Sequence, residues 1–398
     1  DAMDLETKYW SYVRFVKIIL MMSGLWPGGS NGSEIIHQKL AVFFFIFTTA
    51  MGFGVTYFCW FHSGNLEVFM KGVGFLGTVI LMFVKIGAFI KDRKHLSELM
   101  DTLGLLSSTE LKDPKLQPLL LGLLPTLSRY SYLQGISVGY ATLSYNLTPL
   151  IIIVYQKLSG IIPVSYIYPF PCKFPWDADP VGGTLYAVHY LFNVMLGWVC
   201  FSSIVGPDAL FCLFVLQLCG RLRILANNFQ NLTPGNDYKN EFRDCVKRHC
   251  LLNRCQDKLQ KVYGGAILVQ FTSNGLVMCA LVFQAFQVSR KIIKGELWNY
   301  NNLCKVLISQ DSGQRTFIYS WCGTMLTAES EAVSNAAYNS DWEKLSDAKM
   351  MRNVLMVISQ RPLILTACRF SVVSLRMFTT ILNTTVSYFF LLKTVEEK

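Results

Sequence analysis

Charge is what this chain has least of. Only 16% of its 398 residues are Asp, Glu, Lys or Arg, against 52% hydrophobic. Soluble globular domains carry about 25% charged residues. The shortfall is local: it comes from apolar runs of about 20 residues, the length that crosses roughly 30 Å of hydrocarbon. No single soluble core needs several such runs. Paired cysteines are also missing. The twelve cysteines include no Cys-x-x-Cys, and the recurrence of Cys245, Cys250 and Cys255 every five residues lacks the paired spacing of a zinc site. Most of the others lie in apolar runs, where cysteine acts as a small hydrophobe. Cys172 and Cys304 fall in loops, where a bridge between them stays open. The histidines His37, His62, His95, His189 and His249 are dispersed, and no His-Glu-x-x-His is present. Nothing converges on a catalytic or metal centre, so no enzyme activity, metal or cofactor is expected. The start of the chain has no apolar core ended by a small-residue cleavage site, so no cleavable signal is expected. The net charge is +10, but no aromatic-and-basic motif accompanies it, and nucleic acid is not expected as a partner.

What is there is a set of membrane-length runs. An all-α integral membrane protein with seven transmembrane helices is expected, with spans over 40–61, 66–90, 126–155, 184–219, 262–288, 316–334 and 363–394. Lys39 and His62 bracket the first. The run Lys91-Asp92-Arg93-Lys94 ends the second, Pro125 precedes the third, and Gly182-Gly183 precedes the fourth. The sixth is the weakest, with Glu329 and Glu331 near its end. Pro362 should interrupt any helix arriving at the seventh.

Basic residues set the orientation. Segments on the N-terminal side of the membrane hold 22 Lys and Arg, and those on the other side hold 9. The positive-inside rule then places the N-terminus in the cytoplasm and the C-terminus outside. A G-protein-coupled receptor has the opposite orientation. Its short motifs are absent too: Asp92-Arg93 is followed by Lys94, and the last span has no Asn-Pro-x-x-Tyr. Five basic residues, Lys71, Lys85, Arg129, Arg369 and Arg376, lie within spans, with Lys393 at the outer end of the last span counted to the outside. Lys85 and Arg129 are expected to snorkel toward the cytoplasmic interface.

The organisation expected is a cytoplasmic segment over 1–39, then helices one to four over 40–219. A pair of cytoplasmic helical extensions follows over 220–261, divided by a turn at Asn231–Asp237. Helices five and six and the cytoplasmic start of helix seven occupy 262–361, and the last helix 362–398.

Two stretches carry a resemblance. Gly24-Leu25-Trp26-Pro27 follows a basic amphipathic segment. In the C-terminal third, Ala336-Ala337-Tyr338-Asn339-Ser340-Asp341-Trp342 is followed in order by Met350-Met351-Arg352, Arg361-Pro362-Leu363, Leu365-Thr366-Ala367, Phe378-Thr379-Thr380-Ile381-Leu382 and Ser387-Tyr388-Phe389. Their order, with the span number, inverted topology and length, resembles the insect odorant receptor family over the whole chain. The resemblance implies a subunit of a tetrameric, non-selective cation channel. It would bind a small, volatile, apolar ligand and assemble with a shared co-receptor subunit into a heterotetramer. The place implied is the plasma membrane of olfactory sensory neurons, among membrane lipid and permeating cations. The co-receptor has a longer cytoplasmic loop than 221–261 provides, so this chain resembles the ligand-specific subunit.

On the last helix, Thr380, Asn383, Thr384, Ser387, Leu391 and Val395 recur at three- and four-residue steps and share a face. A polar face in a membrane belongs against water or another helix. It therefore lines a pore, or it is a helix–helix seam of the kind that uses Ser and Thr. The resemblance implies a central pore lined by this helix. The constriction would fall at Ser387, Leu391 and Val395, with Thr394 beside it, and apolar rings at Leu391 and Val395 would close it by dewetting. For the ligand, aromatics on the outer halves of several spans are candidates: Phe75, Tyr145, Tyr186, Tyr190, Tyr319 and Trp321. Thr148, His189, Asn193 and Ser320 would orient a carbonyl or hydroxyl. Each of these also has an ordinary reading as packing or an interfacial anchor.

Overall fold

A computed structural model describes residues 2–28, 31–111, 113–174, 183–233, 237–293, 300–345 and 347–396, with the side chains at 279–312, 388–389 and 391–396 among those outside the description. The helices in order are α1 (Ala2–Met22), α2 (Asn31–Phe61), α3 (Leu66–Lys91), α4 (Arg93–Glu110), α5 (Gln117–Leu121), α6 (Leu124–Leu158), α7 (Thr184–Gln230), α8 (Tyr238–Ile293), α9 (Tyr300–Tyr338), α10 (Ala348–Ile358) and α11 (Leu375–Glu396). The other regular elements described are a 3-10 turn, Asp341–Lys344, and a two-stranded hairpin, β1 (Thr366–Ala367) and β2 (Ser371–Val372). Among the described residues, four stretches are long and apolar enough to cross a membrane by length and composition: Glu34–Phe61, Val68–Lys91, Gln117–Leu158 and Thr184–Gln230.

Burial sorts these helices. The apolar window of α7 is 94% buried, whereas that of Gln117–Leu158 is 22% buried. So α7 is the axis of the bundle and α6 lies on its rim. α7 packs against α1, α3, α5, α6, α8 and α9. It runs unbroken from Thr184 through the expected span into the extension beyond 219, and α8 likewise joins the second extension to span five. Glu329, which weakened the sixth span in the sequence, is paired: Arg223 on α7 donates to its Oε1 through Nε at 2.7 Å and Nη2 at 2.5 Å.

The N-terminal motif has a local cause. α1 buries Tyr9, Tyr12, Val16 and Leu20, one face at three- and four-residue steps. It ends where Gly24 turns to φ +70°, with the Leu25 N–H bonded to Leu20 O at 2.9 Å and the Gly24 N–H to Met21 O at 3.1 Å. These two bonds make a Schellman cap. A Cβ at Gly24 would lie 2.4 Å from His37 O, so glycine is required twice over. Arg93 then donates to Trp26 O at 2.8 Å and Gly24 O at 3.3 Å, tying the motif to the start of α4.

Two expectations need correction. The seventh helix does not begin at 363: residues 363–374 form the hairpin and its flanks, and α11 starts at Leu375. Here side chains take the place of a helix's own hydrogen bonds. Gln260 on α8 accepts from Thr366 N at 2.8 Å and donates back to Thr366 O at 2.5 Å. Ser330 Oγ accepts from Leu363 N at 2.9 Å. Cys368 and Arg369 sit at φ +50° and +62°, which reverses the chain.

Nor does Lys85 snorkel. It is 1% exposed, and its Nζ lies 2.5 Å from Asp208 Oδ1 on α7. Asp208 is 0% exposed and also accepts from Tyr319 Oη at 2.6 Å and Gln134 Nε2 at 2.9 Å. One carboxylate thus ties together α3, α6, α7 and α9. An aspartate in hydrocarbon is tolerable only when paired in this way.

Candidate functional site

The expected ligand residues fall into two groups. The outer group gathers around the loop between α6 and α7. Phe75 on α3 stacks on Phe170 of that loop, with centroids 4.7 Å apart, and Tyr145 on α6 stacks on it from another side at 5.8 Å. Phe170 is only 6% exposed, so the loop tip is inserted between helices. The loop is also pinned to α2: Lys173 N donates to Gly54 O at 3.1 Å, and the Lys173 ammonium sits 3.5 Å from the centroid of Phe61. Beside this lies a second aromatic layer. Tyr186 stacks on Tyr168 at 5.3 Å and donates to Ile167 O at 3.0 Å. His189 meets Tyr168 Oη at 3.3 Å through Nδ1, and Tyr190 donates to Asn146 O at 2.5 Å.

Asn193 donates to His189 O at 2.9 Å, while its buried Oδ1 has no partner among the described residues. A lone acceptor suits a ligand donor such as a hydroxyl, not a carbonyl. Thr148 has its hydroxyl bonded to Ser144 O at 2.7 Å, so that donor is already used within α6.

The inner group is on α9. Tyr319 points to Asp208 and stacks on Phe211 with centroids 4.5 Å apart, so it belongs to the central polar knot. Ser320 is 0% exposed with no partner for Oγ among the described residues, and Trp321 packs partly buried on the core.

The sequence reading missed Phe170, Tyr168 and Asp208. Candidates were sought at helical spacing, which a loop does not have. The available signals were the aromatic and proline density of residues 166–174, and the fact that Asp208 is the one charged residue between 184 and 219. Two glycine patterns that elsewhere mark catalytic loops, Gly72-x-Gly74-x-x-Gly77 and Gly135-Ile136-Ser137-Val138-Gly139, lie inside α3 and α6. They serve close packing: a Cβ at Gly135 would lie 3.3 Å from the ring of Phe15.

On α11, Thr380, Asn383, Thr384 and Ser387 are exposed and Thr385 is buried. Among the described residues the exposed hydroxyls bond their own helix: Thr380 to Arg376 O at 3.0 Å, Thr384 to Thr380 O at 2.8 Å and Ser387 to Asn383 O at 3.0 Å. The side chains of Leu391, Thr394 and Val395 lie outside the described residues, as does that of Cys304, which falls in α9 and not in a loop; Cys172 is buried. α11 joins α9 directly, since Leu375 N donates to Thr324 Oγ1 at 3.1 Å.

Membrane-length apolar helices that pack an aromatic cluster between them make a polytopic membrane protein. The family can be stated as well. The sequence model of the 7tm odorant receptor matches residues 65–386, well over half the chain, and the chain belongs to the insect odorant receptor family, whose members are receptors and not enzymes. Odorant receptor 22c of Drosophila melanogaster is 25% identical over 405 residues, covering 96% of each chain. Odorant receptor 13a of the same fly is 25% identical over 57% of this chain and 58% of its own. Among solved structures, the insect olfactory receptor OR5 from Machilis hrabei in complex with eugenol superposes with a TM-score of 0.78 at 17% identity, over 99% of this chain and 100% of that one. At that identity it supports the fold.

Proposed function

We propose that this chain is the ligand-specific subunit of an odorant-gated, non-selective cation channel, opening a pore together with a co-receptor subunit in a heterotetramer. It would act at the plasma membrane of olfactory sensory neurons. The observation that carries this reading is the exposed polar face of α11. A face of Thr and Asn next to lipid would be costly, so it belongs against a water-filled space shared between subunits. Ligand enters the account through the chamber around Phe170. Its expected occupant is small and largely apolar, matched to aromatic walls and few polar atoms. The link between chamber and pore helix runs along α9, through the Asp208–Tyr319 and Thr324–Leu375 bonds. Assembly is assigned to the cytoplasmic ends. There a cavity of about 420 Å³ opens between α8 and α10, lined by residues that include Phe242, Val246, His249, Met350 and Val357. Burial lowers the His249 pKa, and the charge of this lining comes from Lys239 and Arg243.

Recording current from cells expressing the chain alone and with a co-receptor, against an odorant panel, tests the reading. Evoked current should need both subunits. In the same recordings Phe170→Ala should shift preference toward bulkier odorants, with half-activating concentrations moving roughly tenfold relative to wild type. An unchanged rank order would remove Phe170 from the chamber.

Orientation is tested separately. The asymmetry of 22 against 9 basic residues predicts that an antibody reaches a tag at the C-terminus on intact cells and reaches one at the N-terminus only after permeabilisation. The reverse pattern would overturn the inverted topology.

A further inference from the structure

Two fully buried side chains in the seam between α8 and α9 have no hydrogen-bond partner among the described residues. Gln270 and Ser320 are each 0% exposed. Gln270 Nε2, Gln270 Oε1 and Ser320 Oγ all lack a hydrogen-bond partner among the described residues. Buried polar groups are nearly always paired, because an unpaired one keeps its full desolvation cost.

Two contacts place these groups side by side. Asn274 Nδ2 donates to Thr316 Oγ1 at 3.0 Å. A Cβ at Gly313 would lie 4.0 Å from Met278 Cε. Residue numbers rise on one helix as they fall on the other, so α8 and α9 are antiparallel. One turn below Asn274 is Gln270, and one turn below Thr316 is Ser320. The orphaned groups therefore form the next layer of the same seam.

The donor and acceptor inventory selects the guest. A glutamine amide both donates and accepts, and so does a serine hydroxyl. One small atom serving all three must also do both. An ether oxygen only accepts and an ammonium only donates, whereas a hydroxyl does each.

Depth links the seam to the chamber. A Cβ at Gly77 on α3 would lie 3.4 Å from Val277 Cγ2 and 3.8 Å from Ser273 Cβ. α3 and α8 run antiparallel, as the Phe89–Tyr263 ring contact shows, so Gln270 lies roughly 8 to 14 Å deeper than Phe75 along the helix axes. An elongated odorant is needed to span that depth.

We propose that the seam of α8 and α9 binds a hydroxyl group, with Gln270 and Ser320 as its partners, and that the hydroxyl is that of an alcohol or phenol whose apolar body occupies the aromatic chamber. This rests on the ligand-gated reading above. Ordered water is the other source of the same group, and the two are separated by experiment.

The assembled channel, wild type and Gln270→Leu or Ser320→Ala, is recorded against matched triplets of alcohol, methyl ether and alkane of equal length. A density map of the same assembly is obtained without odorant and with the most potent alcohol. The expected result is a rise of about tenfold in the half-activating concentration of alcohols in both variants, with ethers and alkanes unmoved. Density at the seam should be continuous with bound alcohol. If both variants weaken all three classes alike, or the seam is empty in both maps, the proposal is overturned. Isolated density at the seam with unchanged alcohol responses assigns the hydroxyl to water and overturns the odorant assignment. If no compound evokes current from the wild type, the ligand-gated reading fails, and the odorant-free map still decides whether the seam holds a hydroxyl.

Discussion

Replacing Lys85 with Met should remove most of the correctly folded protein from cells. Lys85 and Asp208 are 1% and 0% exposed, and their ion pair lies where α3, α6, α7 and α9 meet. Deleting one member leaves the other charged and buried, which costs about 3–5 kcal/mol. Whole domains are stable by only about 5–15 kcal/mol. Asp208→Asn should cost a similar amount, since it strands the ammonium while keeping the size of the side chain. The double substitution Lys85→Met with Asp208→Leu should recover much of the loss, because an apolar pair of similar volume carries no desolvation penalty. The measurement is the monodisperse peak of solubilised protein by size exclusion and its midpoint of thermal aggregation. Single variants indistinguishable from wild type would show that water reaches the pair. A double variant worse than either single would show that Tyr319 and Gln134 depend on the carboxylate more than the fold depends on neutrality.

That pair also marks where reading the sequence stopped. The long helices were legible because membrane spanning needs an uninterrupted apolar run, and such a run is visible without any partner. The continuity of α7 and α8 into their extensions was legible for the same local reason, helical spacing carried past Arg221 and back from Tyr263. Lys85 was misread because a lone lysine near the end of a span has two outcomes, snorkelling or pairing. The deciding residue, Asp208, is 123 positions away. The hairpin over 366–372 was hidden in the same way. Its apolar residues read as the start of a span, and side chains on other helices hold it and its flank extended, Gln260 at Thr366 and Ser330 at Leu363. Phe75, Tyr145, Tyr186, His189, Tyr190 and Asn193, expected as ligand residues from aromatic and polar side chains within spans, lie near the loop between α6 and α7. Phe170, around which Phe75 and Tyr145 stack, lies in a loop with no period to betray it. Tyr319 had the right helix but a different neighbour. Its hydroxyl goes to the buried carboxylate, which no spacing rule could supply.

Substituting Leu391 with Ser is expected to raise current in the absence of odorant severalfold, and Ser387 with Leu to cut the evoked current by tenfold or more. The argument starts from α11. Thr380, Asn383, Thr384 and Ser387 share the exposed face, while Thr385 is 4% exposed and Met377 and Ile381 pack on the core. The helix therefore has a fixed rotation, with one side committed to the bundle and the other turned away. Continuing the same steps by sequence brings Leu391 and Val395 onto the turned-away face, about 6 Å apart along the axis. In the proposed tetramer, repeated around a central axis, they would form two apolar rings that shut when water leaves them. A serine in the ring favours wetting, so the closed state loses stability whether or not ligand is bound. A leucine at 387 extends the apolar stretch and does the opposite. Odorant opens the pore only by binding the open state more tightly, since equal affinity for both shifts nothing. Cysteines at Asn383 and Ser387 should therefore react with water-soluble thiol reagents faster when odorant is present, and a cysteine at Thr385 should stay protected throughout. Exposed Cys250 and Cys368 are first changed to Ser so that they add no background. Equal reaction at 383, 385 and 387 would mean that α11 is not held in this rotation. Protection at all three, with unchanged currents in both substitutions, would assign the polar face to a helix–helix seam and the conduction path to other residues.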